Sequence, residues 1–199
     1  MAPAALIARL IFWLWFGSAV AAGHFLLLQR LPFWGSVGLI LTATGAPLVV
    51  YFRSPAARAW VDSLGFPALV LPHLVRFVGV YFLMLEQRGV LPRAFAVPSG
   101  LGEIVVATMA LPVLFAPLGT GLRLRALFIW NVVATVDLLM VVVIALQMAL
   151  TSPAQFRPLT QLPLSLLATL IVPLLAATHV VIFIRLLRAN TRLERRPGR

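Results

Sequence analysis

Six apolar stretches follow one another along this chain of 199 residues. Each is near the roughly 20 residues that cross the hydrocarbon core of a bilayer. They run from about Ala5 to Leu28, Trp34 to Phe52, Phe66 to Gln87, Val97 to Pro117, Ala126 to Leu150 and Leu162 to Leu187. A backbone in hydrocarbon has no water to bond, so each stretch must satisfy its own N–H and C=O groups as a helix. The expectation is an all-α fold: a polytopic membrane protein, a bundle of about six transmembrane helices. Composition agrees, with 62% of residues hydrophobic and 11% charged. A chain this short would leave too much of that surface in water if it folded as a soluble domain. No stretch is polar enough for a second domain, so residues 1–188 read as one transmembrane domain and 189–199 as a basic tail.

The links are short and rich in turn residues: Gln29–Pro32, Arg88–Arg93, Pro117–Arg125 and Thr151–Pro158. Short links make sequential helices antiparallel neighbours. The longest link, Arg53 to Gly65, places Ala57, Trp60, Val61 and Leu64 at helical spacing with Arg58 and Asp62 between them. That pattern predicts a short helix lying in the membrane interface.

The formal net charge is +11, every basic residue is Arg, and there is no Lys. The arginines sit singly or in pairs at the ends of apolar runs, and cluster only between Arg185 and Arg199. This is the pattern of topology, not of nucleic-acid binding: basic residues gather at the cytoplasmic leaflet. With both termini cytoplasmic, that side carries Arg53, Arg58, Arg123, Arg125, Arg185, Arg188, Arg192, Arg195, Arg196 and Arg199. The other side carries only Arg30, Arg88, Arg93 and Arg157. Trp34, Tyr51 and Trp130 fall near the expected span ends, where interfacial aromatics belong. The Arg-rich, Lys-free composition suits a high-GC bacterium, and hence its plasma (inner) membrane. Ala19-Val20-Ala21 after the first apolar run also resembles a signal-cleavage site, a competing reading of the N-terminus.

The absence of Lys excludes Schiff-base chemistry, and the absence of Cys excludes disulfides, thiolate ligation and c-type haem attachment. No Gly-rich phosphate loop and no Ser-His-Asp order is present, so a non-enzymatic role leads.

Charge inside a bilayer is costly and persists where it pairs, lines a wet cavity or works. Here the intramembrane polar set is His73, Arg76, Glu103, Asn131, Asp137 and His179. His24 and Glu86 sit at span ends, where they reach water. At 1.5 Å of rise per residue, His73 and His179 share a level, with Arg76 one turn deeper and Asp137 near the middle. Arg76 is expected to pair with Asp137. Glu103 is placed toward the opposite side, reaching up to Arg88 or Arg93. Pro173 should free a carbonyl and kink the sixth span, and Gly100 with Gly102 should make the start of the fourth irregular.

Several readings of this set compete. It can be purely structural. It can bind or pass a small polar or anionic ligand, with Arg76 as anchor. It can hold b-type haem between His73 and His179. A metal hydrolase using His73, His179, Asp137 and Glu103 lacks any diagnostic motif. A subunit role in a larger membrane complex would place function on the lipid-facing surface instead. The partners implied are the bilayer and, in the last case, other membrane subunits.

From Arg76-Phe77-Val78-Gly79-Val80-Tyr81-Phe82 onward the chain resembles a group of small bacterial multi-pass membrane proteins of unknown function. The resemblance is carried also by Gly89-Val90-Leu91-Pro92, Gly100-Leu101-Gly102-Glu103, Trp130-Asn131, Asp137, Pro163, Pro173 and His179, over about Pro72 to Leu187. In that pattern the acid after the second glycine is usually Asp; here it is Glu103. The resemblance brings no activity, substrate or cofactor, but it implies that Arg76, Glu103, Asn131, Asp137 and His179 belong together.

Overall fold

A computed structural model describes residues 3–194, with side chains over 5–189. Every regular element among the described residues is helical. Among the described residues, six helices are long and apolar enough to cross a membrane: Ala5–His24, Phe33–Arg53, Phe66–Gln87, Arg93–Phe115, Thr120–Thr151 and Leu167–Ala189. They are called spans one to six below. The basic tail expected at 189–199 stays helical through Glu194, and 195–199 lie outside the described residues, as do the side chains of Arg192, Arg195, Arg196 and Arg199.

The expected interfacial helix is present as Pro55–Ser63, with no buried residue. Its start follows from chemistry: Pro55 occupies the first turn, where its missing N–H costs nothing, and the Ser54 hydroxyl accepts from Ala57 N–H at 3.2 Å.

Spans three to six pack as sequential neighbours, and spans one and two do not follow that rule. Span two buries only Tyr51 and lies mainly against span six. Span one closes against the residues leading into span six. The Trp15 indole donates to the Thr169 carbonyl at 2.9 Å, and Gln29 Nε2 donates to Thr160 Oγ1 at 2.9 Å. A Cβ at Gly23 would strike the Ser165 hydroxyl, so glycine is what lets span one approach there. The Trp15 bond meets irregular backbone in span six. That span begins as a π turn at Leu167–Ile171, with Val172 N–H reaching back to Leu167 O. Thr169 is the residue whose carbonyl an N–H at 173 would have met, and Pro173 has none. Trp15 supplies the donor instead. The break expected at Pro173 is therefore a π turn just before it.

Span three changes pitch midway. Phe66–Val70 is α-helical, Leu71–Phe77 is a 3-10 helix with Pro72 in its first turn, and Val78–Gln87 is α-helical again. In a 3-10 helix, residues three apart eclipse each other. His73 and Arg76 therefore stack on one side, and both are wholly buried.

Span four corrects one expectation. It is an unbroken helix from Arg93 to Phe115 despite Gly100 and Gly102. The glycines serve packing: a Cβ at Gly79 would meet the Gly100 carbonyl, and one at Gly100 would lie 2.9 Å from the Gly79 carbonyl. Spans three and four thus touch backbone to backbone at this pair, one turn from Arg76 on one side and from Glu103 on the other.

Candidate functional site

The Arg76 guanidinium is the centre of the polar core. Its Nε donates to Glu103 Oε2 at 2.6 Å and its Nη2 to Glu103 Oε1 at 3.3 Å. The same Nη2 donates to Asp137 Oδ2 at 2.5 Å, and Nη1 donates to the Ala134 carbonyl at 2.9 Å. One cation thus faces two carboxylates from two further spans, all at least nine-tenths buried. Charge-assisted bonds of this kind are strong because the medium is poor in water, and breaking one partner away leaves an uncompensated charge.

Arg76 pairs with Asp137, as its depth suggests, but Glu103 does not reach up to Arg88 or Arg93. Span four starts at Arg93 rather than Val97, so Glu103 lies about 15 Å inside it. Arg93 instead approaches Glu86, at 3.9 Å, on the exposed end of the bundle. A Cβ at Gly102 would fall on Asp137 Oδ1, so the glycine makes room for that carboxylate.

A second group lies beside the first. The rings of His73 and His179 have centroids 4.4 Å apart, and the Trp130 ring packs 5.0 Å from one and 5.8 Å from the other. Trp130 is therefore not interfacial. Span five starts at Thr120, which carries Trp130 deep into the bundle, where its indole donates to the Val106 carbonyl at 3.1 Å. Tyr51, the other expected interfacial aromatic, is also buried, and its hydroxyl donates to Asp62 Oδ1 at 3.0 Å. Trp34 stays exposed at its span end.

The hydrogen bonds assign the imidazole protons. Thr178 Oγ1 gives its one proton to the Leu175 carbonyl at 2.8 Å, so His73 Nε2 must donate to that hydroxyl at 2.9 Å. Asn131 Nδ2 donates to the His179 carbonyl at 3.2 Å, which turns its Oδ1 toward His179 Nδ1 at 2.7 Å. His179 Nδ1 is therefore the donor there. The remaining nitrogens, His73 Nδ1 and His179 Nε2, are buried without a protein partner. In neutral rings both are lone pairs.

The haem option does not fit this arrangement. A bis-histidine haem needs an iron between the rings, about 2 Å from a nitrogen of each, with the macrocycle in the gap. Ring centres 4.4 Å apart, capped together by Trp130, leave no such gap. Among the described residues no group of three or more His, Asp or Glu side chains is placed to hold a metal.

Glu103 has a second exposure. It lines an apolar cavity of about 110 Å³ between spans two to six, whose wall includes Ile40, Phe82, Phe95, Val141 and Leu164. Among the described residues, Ser36 is the only other polar side chain on that wall. Sequence reasoning missed this cavity, along with Thr178 and the Ala134 carbonyl; only the Thr beside His179 carried any signal.

Comparison with known families matches residues 32–187 to a domain of unknown function, DUF8737. The chain belongs to the DUF8737 family. The DUF8737 segment runs from the start of span two to within two residues of the end of span six and includes all six polar residues singled out above. No curated protein and no solved structure matches the chain.

Proposed function

We propose that this membrane protein binds, and passes, a small ligand at its buried polar core, and that the carboxylates rather than Arg76 receive it. Arg76 is wholly buried with four hydrogen bonds made, so it presents no free face to an anion. Two carboxylates against one guanidinium leave room for one more positive charge or proton donor. The observation that carries the reading is Glu103: it belongs to the ionic core and to the wall of the apolar cavity. A cation with a small apolar body satisfies both.

The Arg bias supports a bacterial plasma membrane location with both termini cytoplasmic. Residues 1–188 act as one membrane domain in this reading, with no enzymatic step.

The test uses purified protein in detergent and a short alkylammonium ion as probe. The ammonium should raise the unfolding temperature, whereas the alcohol and carboxylate of equal chain length should not. Glu103→Gln should abolish the shift and still fold, because it leaves Arg76 and Asp137 one to one. Arg76→Ala serves as the contrast: it strands two carboxylates and should cost about 3–5 kcal/mol. An equal shift with the carboxylate, or an undiminished one in Glu103→Gln, overturns the reading.

A further inference from the structure

A second polar site lies at the Arg-rich end of the bundle, away from the buried core. A cleft of about 250 Å³ is lined by Asp62, Phe66, Arg185, Arg188 and Ala189. It opens where the interfacial helix Pro55–Ser63 turns into span three, beside the end of span six. Arg185 is held in place rather than loose. Its Nη1 donates to the Leu64 carbonyl at 2.6 Å, and its guanidinium carbon lies 4.7 Å from the centre of the Phe66 ring. Arg188 meets Asp62 Oδ2 at 3.3 Å, and Tyr51 braces the other oxygen of that carboxylate.

The geometry points to a binding site for the phosphate of an anionic lipid headgroup. Arg185 makes no ion pair among the described residues, and Asp62 is engaged by Arg188, so the Arg185 side of the cleft presents positive charge. An Arg stacked on an aromatic ring with one donor tied to a carbonyl keeps other N–H groups in a fixed plane, suited to phosphate oxygens. The cleft lies at a span end beside an interfacial helix, which is the level of lipid headgroups. Basic pockets between spans at that level hold such groups.

Native mass spectrometry of the full chain, released from detergent containing phosphatidylglycerol or phosphatidylcholine, tests this. Phosphatidylglycerol should be retained in preference. Arg185→Gln and Arg188→Gln should each lower retention about fivefold. Asp62→Asn should raise it, which keeps the test informative if Arg185→Gln fails to fold. Arg125→Gln, exposed at the same end of the bundle, should change nothing. Equal retention of the two lipids, or retention indifferent to Arg188 and Asp62, overturns the site. Full displacement of phosphatidylglycerol by millimolar inorganic phosphate assigns it to a soluble phosphate and overturns the lipid assignment.

Discussion

Gly102 on span four faces Asp137 on span five so closely that a methyl group on the glycine would occupy the place of Asp137 Oδ1. The carboxylate reaches Arg76 only because that space is empty. Gly102→Ala should therefore push Asp137 off the guanidinium and cost about 1–3 kcal/mol, the usual penalty for overpacking. Thermal unfolding in detergent reads the loss. In an Asp137→Ala background the same substitution should cost much less, because the atom it displaces is gone. Equal costs in the two backgrounds would show that the glycine serves something else.

The histidine pair makes a spectroscopic prediction. Thr178 forces the proton of His73 onto Nε2, and Asn131 forces that of His179 onto Nδ1. Nitrogen-15 spectra of labelled protein should show two buried neutral rings in opposite tautomers. Thr178→Val should release the preference at His73 and leave His179 as it was. Both rings in one tautomer would contradict the hydrogen-bond assignment.

The Trp15–Thr169 bond gives a third test. Trp15→Phe removes the donor to a carbonyl that Pro173 cannot serve, and should cost about 1 kcal/mol beyond any packing change. Pro173→Ala restores a backbone donor at that position. In its presence the hydrogen-bond part of the Trp15→Phe cost should shrink. A strictly additive double variant would separate the indole from the proline.

The depth of a single residue was legible only as far as the span ends were. Asp137 lies far from either end of span five, so its pairing with Arg76 survived errors of several residues in the boundary. Glu103 and Trp130 were different. Each lay near an estimated span start, Val97 or Ala126, and the true starts at Arg93 and Thr120 moved both a full turn or more deeper. Helix ends are weakly marked in sequence, because arginine and proline serve equally well just inside or outside a span. That uncertainty became an error of depth, and depth decides which charges meet.

Apolar length and the lack of water in hydrocarbon determined, from sequence alone, that this chain forms six helices of membrane-spanning length and that its few charges must find partners within the bundle. Which partners they find was decided by tertiary structure. Arg76 holds Glu103 as well as Asp137 because two glycines let spans three and four touch, and because a 3-10 turn stacks Arg76 on His73. Close approach between helices depends on shape at sub-ångström scale across residues distant in sequence. No pattern along one helix encodes that.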